Sequence, residues 1–173
     1  MPDTFIKIAT VTVGSGGANS IEFTSIPSTY TDLCVKVSAR QNGSNVDNNT
    51  TIQFNNSTSS YSSRALYGTG SAAGSFTSGA TTEAQIGYSP GANATSNTFG
   101  NIEVYIPNYT GSNYKSFSSD GVAESNTTGV DSMLAAGLWS NTSAITSIKI
   151  RDYQGSYNFV QYSTATLYGI SKS

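Results

Sequence analysis

The chain has 173 residues, of which 10% are charged, and it carries a net charge of −2 with one cysteine and no histidine. Typical soluble domains are about 25% charged, so hydroxyl and amide groups must hydrate this surface, and no basic field is present to bind nucleic acid or an anionic membrane. A single cysteine excludes an internal disulfide, and the absence of histidine excludes a Ser-His-Asp triad and a His-bearing zinc site.

The first residues, "MPDTFIKIATVTV", predict a strand and no signal peptide. Asp3 stands where a positive region would be required, and Thr and Lys interrupt the apolar residues. "GSGGAN" follows as a turn and leads into a second short run of β-branched and aromatic residues. We therefore expect the chain to open with a β-hairpin, whose 8–26 segment carries Glu22 as its only charge.

Alternation of apolar and polar residues with period two continues along the chain and is typical of half-buried strands. In "TDLCVKVSAR" the odd-numbered Leu33, Val35 and Val37 should face a core, and Cys34 is out of phase with them as a small strand residue. Eleven candidate strands result, of which we expect nine or ten to form: 5–13, 19–26, 31–40, 50–55, 62–68, 82–88, 98–106, 114–124, 130–139, 144–152 and 157–169.

Three segments are less regular. Residues 68–100 are rich in small residues and predict a long irregular loop or arm, with one short strand near Gln85–Tyr88. "VDSMLAAGLW" is the one helix candidate, with Asp131 as a possible cap, but Gly137 and its short length favour a strand. In the last run the alternation changes phase, which predicts a bulge or a bend near 163–165.

Strands at this spacing, with turn residues between them and no helical intervals, predict an all-β protein. We expect a single domain over 1–173, folded as a jelly-roll-like antiparallel β-sandwich. Two packed sheets require each strand to bury only one face, which agrees with the alternation.

The chemistry of the sequence indicates binding more than catalysis. Carboxylates such as Glu83 and Asp152 could supply a glycosidase pair, and Asp47-Asn48-Asn49 could offer oxygens to calcium, but we favour solvated acids and an Asx-type turn. We accordingly expect no catalytic, cofactor or metal residue. Six tyrosines in or beside turns suit a protein interface or sugar stacking, and we take them as candidate contacts: Tyr61, Tyr88, Tyr109, Tyr114, Tyr153 and Tyr157. Trp139 is expected in core or edge packing.

Three stretches carry a resemblance: "IATVTVGSGGANSIEFTSIPSTYTDLCVKVSAR", "AAGLWSNTSAITSIKI" and the closing "YNFVQYSTATLYGISKS". Together they resemble small virion proteins of tailed bacteriophages, of the kind that infect cyanobacteria and other aquatic bacteria. The resemblance implies a location in the virion, after synthesis in the host cytoplasm, and it brings no catalytic residues.

Two functions follow from that resemblance. The first is a capsid decoration, or cement, protein that binds the phage major capsid protein on the outer surface of the shell. The alternative is a tail fibre or appendage protein that binds host surface glycan. Because the N-terminal hairpin has little charge to protect its edge, we also expect self-association, as a homotrimer, through that hairpin or through 68–100.

Overall fold

A computed structural model describes residues 4–126 and 132–171 of the chain. Within these residues the chain forms twelve strands and one short 3₁₀ turn at Tyr153–Gly155. The strands are β1 Phe5–Thr12, β2 Ser20–Phe23, β3 Asp32–Ala39, β4 Asp47–Phe54, β5 Tyr61–Gly68, β6 Ala73–Thr81, β7 Ala84–Pro90, β8 Gly100–Ile106, β9 Lys115–Val122, β10 Ser132–Trp139, β11 Ile148–Asp152 and β12 Thr164–Ile170.

The strands build two antiparallel sheets, which confirms the predicted antiparallel β-sandwich. Eight strands form the larger sheet in the order β1-β12-β3-β8-β9-β10-β5-β6, and four form the smaller one in the order β2-β11-β4-β7. The expected number of nine or ten strands was too low for the described part of the chain, and the jelly-roll description stays a prediction. The helix candidate is strand β10, while its possible cap Asp131 and residue 130 lie outside the described residues.

The main core lies between the sheets and is built by the predicted alternation. Leu33, Val35 and Val37 of β3 are buried, as are the inward residues of β8 and β11. An aromatic group closes one end of this core, where Trp139 stacks on Tyr61 at a ring distance of 6.2 Å. Of the two placements predicted for Trp139, core or edge packing, the structure shows the core.

A second, smaller core lies beside the first. It consists of Ala65, Met133 and Ala135, with aromatic rings from β5, β6 and β7 packed against them. This cluster supports the far end of the larger sheet, where β5 and β6 form a hairpin through a turn in which Gly70 adopts φ +79°.

The predicted N-terminal hairpin is wrong. β1 pairs with β12 in the larger sheet and β2 pairs with β11 in the smaller one, so "GSGGAN" carries the chain from one sheet to the other. Turn residues signal a change of chain direction, but they do not select the strand that will accept the hydrogen bonds. β1 and β2 are consequently edge strands of different sheets.

The predicted short strand near Gln85–Tyr88 lies in β7, but the rest of 68–100 is more regular than expected, since β6 also occupies part of it. Residues 91–99 form a loop, and the guanidinium of Arg40 holds it by donating to the carbonyl oxygens of Ala94 and Thr95. Of the two alternatives for 163–165, the chain shows a bend: a turn precedes β12, in which Tyr162 has φ 73°, and the pairing of β12 with β3 has no register shift.

Candidate functional site

The outer face of the eight-stranded sheet carries an exposed apolar cluster. Leu66 is 63% exposed, Leu134 is 59% exposed and Val122 is 47% exposed. They lie on the neighbouring strands β5, β10 and β9, and Leu66 and Leu134 are direct partners in the strand register. We call these three residues the outer apolar patch; they surround an open depression of about 340 Å³.

Cross-strand registers define what borders this patch. On one side Leu134 faces Asp120, which faces Glu103, and Glu103 pairs with Lys36 at 2.7 Å. On the other side Leu66 faces Ser75 of β6. The patch therefore has a charged border towards the middle of the sheet. Towards β6 its register neighbour is uncharged Ser75, and Arg64 lies two residues away along β5, where its guanidinium donates to the carbonyl of Ser78.

The opposite side of the sandwich carries a polar cavity. It is open, measures about 470 Å³ and is walled by Asn45, Asp47 and Asn49 on one side and by Asp152, Tyr153 and Tyr157 on the other. A second cavity of about 200 Å³ adjoins it, shares Asn49 and Tyr153, and reaches Phe76 of β6. We call the two cavities together the tyrosine groove, because the side chain of Tyr153, 44% exposed, lines both of them.

Two buried carboxylates hold the turn that presents these tyrosines. Asp152 accepts the backbone N–H groups of Ser156 and Tyr157 at 3.1 and 3.2 Å. Burial raises the pKa of its carboxyl above the ordinary value, and these hydrogen bonds oppose that rise. Glu83 accepts the backbone N–H of Gln154 at 2.7 Å. The turn needs such support because Gln154 adopts a positive φ of 60°, which costs free energy in a residue other than glycine.

Glu83 is also the centre of a buried ion pair. Its carboxylate lies 2.8 Å from Nε of Arg151 and accepts the hydroxyl of Thr51 at 2.9 Å. The side chain of Glu83 is fully buried, whereas that of Arg151 is 23% exposed. Both acids use their oxygens to hold the 152–157 segment.

The structure separates the six candidate tyrosines into two groups. Tyr153 and Tyr157 line the groove, Tyr114 is 59% exposed in the loop before β9, and Tyr88 is half-buried against the second core. Tyr61 and Tyr109 are buried, so their placement on a contact surface was wrong.

The two buried tyrosines have structural hydrogen bonds. The hydroxyl of Tyr61 accepts the backbone N–H of Phe54 at 2.7 Å, and burial raises its pKa to about 12. The hydroxyl of Tyr109 donates to the carbonyl of Pro27. Each phenol therefore connects two segments of the chain, and neither ring presents a free face to a partner.

Cys34 is a buried strand residue, as its sequence context indicates. Its register partners on either side are Tyr168 and Tyr105, two residues with large side chains. Burial raises the pKa of the thiol to about 11, which leaves it protonated and weakly nucleophilic near neutral pH.

The candidate calcium segment lies beside the groove. Asp47 and Asn49 line it with Asp152, while buried Asn48 accepts a hydrogen bond from the amide of Asn45 at 3.2 Å. Across residues 4–126 and 132–171, no three acidic or cysteine side chains come together in a group suited to a metal ion. The segment is therefore better described as a polar wall of the groove.

Sequence reasoning missed the outer apolar patch. A signal was available, because Leu66 and Leu134 stand on the phase opposite to their buried neighbours Ala65, Met133 and Ala135. A leucine on the solvent phase of each of two paired strands marks an exposed apolar pair.

Comparisons with protein-family models, with curated protein sequences and with solved structures each gave no match. None of the helical residues in the described ranges forms a helix of the length and apolarity that a membrane crossing requires.

Proposed function

We propose that this protein is a non-enzymatic structural component of a bacteriophage particle, a capsid decoration protein that binds the outer surface of the shell. The outer apolar patch is the observation that supports this most directly. Single exposed apolar residues are ordinary on protein surfaces, but contiguous ones on adjacent strands favour a protein contact.

The size of the patch suits a repeated contact. Burying a fully exposed aliphatic side chain is worth about 1.5–3 kcal/mol, and Leu66, Leu134 and Val122 are each about half-exposed. The three together therefore contribute about 2.5–5 kcal/mol, which is weak for one copy. Linked or neighbouring copies on a shell of repeated subunits would strengthen such a contact by raising the effective concentration of each site.

Leu134→Lys tests this proposal. The variant places a charge at the centre of the patch, on a side chain that is already 59% exposed, so the fold should be retained. Tyr114→Lys is the matched control, because Tyr114 is also 59% exposed but lies in the loop before β9. We expect loss of binding to purified shells with the first variant and retained binding with the second.

Copy number gives an independent measurement. A decoration protein should be present in hundreds of copies per purified particle, since it covers a repeated lattice. A count of a few copies, or equal shell binding by the two variants, would contradict the proposal.

The tyrosine groove favours a second candidate, binding of host surface glycan. Amide, hydroxyl and carboxylate groups beside a half-exposed aromatic ring match the hydrogen-bonding groups and the apolar face of a sugar. The carboxylates of Asp47 and Asp152 favour neutral or amino sugars over acidic ones. The larger cavity of the groove is lined by β4 and by the segment after β11, both of the four-stranded sheet, so a copy that bound a shell through the outer face of its eight-stranded sheet would leave this cavity uncovered.

Tyr153→Ala distinguishes this candidate. Loss of one stacking ring should weaken binding to host cells or polysaccharide about tenfold, since about 1.4 kcal/mol corresponds to that factor. Tyr114→Ala should have no effect. Absence of any binding by the unmodified protein, at high concentration, to host cells or polysaccharide would contradict a glycan function.

A further inference from the structure

The edge of the larger sheet at β6 is open. β6 is the last strand in the sheet order, and no other strand in the described part of the chain pairs with its outer side. Its sequence, AGSFTSGAT, contains neither a charged residue nor proline. An edge strand of this kind leaves backbone N–H and C=O groups available to a further strand.

The other edges carry the features that usually block such pairing. β1 carries Lys7 and a register irregularity between Lys7 and Ala9. β2 has only four residues and includes Glu22, and β7 has an irregular register and ends at Pro90. Lysine, bulges, proline and short length are the known protections of sheet edges. β6 has an irregularity only after Ser78, so 73–78 remains regular.

The hairpin turn determines which β6 groups point outward. The backbone N–H of Thr69 donates to the carbonyl of Ala72 at 2.9 Å, which closes the β5–β6 turn. Hydrogen-bonded and non-hydrogen-bonded pairs alternate from there, so Gly74 and Phe76 bond to β5. The N–H and C=O groups of Ala73, Ser75 and Thr77 consequently point away from the sheet.

We propose that β6 pairs antiparallel with β6 of a second copy of this chain, about a two-fold axis at Ser75. In that register Ser75 faces Ser75 of the other copy, and Ala73 faces Thr77 on each side. Three such pairs exchange about six backbone hydrogen bonds. The uncharged edge is self-complementary, whereas head-to-tail pairing with β1 would meet Lys7 and the irregular register. An isologous contact of this kind closes at two copies.

This pairing places the two outer apolar patches on one face. Leu66 and Ser75 are register partners, so one cross-strand row would run from Leu134 through Leu66 and Ser75 to the same residues of the other copy. Leu66 of each copy would then lie three strand spacings apart, about 14 Å. The dimer has a continuous sixteen-stranded sheet with a doubled apolar surface. The inference does not depend on the capsid proposal, because it concerns the isolated protein.

Cysteine cross-linking of the isolated protein tests the register. A hydrogen-bonded antiparallel pair has a Cα–Cα distance of about 5.5 Å, within the range that a disulfide spans. Ser75→Cys should therefore form a disulfide-linked dimer under mild oxidation. Thr10→Cys, an exposed residue of the β1 edge, is the control and should stay monomeric. Native Cys34 is buried and should not interfere.

Sedimentation equilibrium tests the assembly without a cross-link. The unmodified protein at tens of micromolar should have twice the 18.1 kDa mass of the chain. Ser75→Lys should sediment as a folded monomer with the β-sheet circular dichroism spectrum of the unmodified protein, because two like charges would face each other across the axis. An equimolar mixture of Ser75→Lys and Ser75→Glu should recover the dimer.

Each contrary outcome overturns the proposal. A monomer at this concentration with no Ser75→Cys cross-link shows that the edge is not used. A trimer, as the low charge of the N-terminal segment led us to expect, or a dimer unaffected by Ser75→Lys, shows that another surface makes the contact.

Discussion

Replacing Glu83 by Gln should destabilise the fold and release the turn that carries Tyr153. Three donors converge on the carboxylate of Glu83: the guanidinium of Arg151, the hydroxyl of Thr51 and the backbone N–H of Gln154. Gln offers one acceptor oxygen and one NH₂ group, so the NH₂ must face a donor. The substitution also removes the negative charge that neutralises Arg151 in a buried pair.

The magnitude follows from burial. Breaking a fully buried ion pair costs about 3–5 kcal/mol, and the 23% exposure of the Arg151 side chain lets water recover part of this. We therefore expect a loss of about 2–3 kcal/mol in the free energy of unfolding, measured by urea denaturation. At this chain length the melting temperature should fall by about 4–12 °C. Amide exchange at Gln154 should accelerate more than exchange in β8.

Glu22→Gln is the matched control. Glu22 pairs with Lys149 at 3.2 Å, but the two side chains are 41% and 27% exposed, so its loss should cost less than about 1 kcal/mol. Equal losses for the two substitutions, or unchanged exchange at Gln154 in Glu83→Gln, would refute the role assigned to the buried pair.

Three further predictions concern the core and pH. Gly137→Ala should cost about 1–3 kcal/mol by urea denaturation, because a Cβ there would overlap the Phe117 ring; a neutral result would show that the ring can move. Cys34 should react with a thiol reagent near neutral pH only after unfolding, since burial raises its pKa to about 11; fast reaction of the folded protein would contradict this. Because burial raises the pKa of Asp152, the folded state binds the proton of this carboxyl more tightly than the unfolded state does. Protonation of Asp152 therefore favours the folded state at low pH, and this contribution to the free energy of unfolding is lost as pH rises through the raised pKa. Between about pH 4 and about pH 7, the free energy of unfolding measured in urea should therefore fall less for Asp152→Asn than for the unmodified protein. If the two proteins show the same dependence of unfolding free energy on pH, the effect assigned to Asp152 is excluded.

The strands were predictable where apolar contrast was strong. Val35, Ile102 and Ile150 were placed correctly because each alternates with charged or polar neighbours on a half-buried strand. β6 was missed because Ala, Gly, Ser and Thr alternate with one another and leave only Phe76 as an apolar signal. The pairing of β1 with β12 joins the two ends of the described chain, and local turn chemistry contains no information about so distant a partner.

The candidate surface was predictable in part. Tyr153 and Tyr157 lie on the groove, as their place in a Gly- and Ser-rich turn indicated. Tyr61 and Tyr109 have similar neighbours in the sequence but point inward, because residue type and a nearby turn do not fix the direction of a side chain. Tyr61 is the first residue of β5, and its register partner Trp139 is buried with it.

The separate support of the β5–β6 hairpin has a consequence for how this protein can change over evolutionary time. Its outer part rests on Ala65, Met133 and Ala135, apart from the main core. Substitutions or length changes near the tip therefore leave the packing of Leu33, Val35 and their partners intact. The outer part of this hairpin, and with it the surface on both of its sides, is therefore free to vary while Tyr61 and the rest of the main core keep their packing.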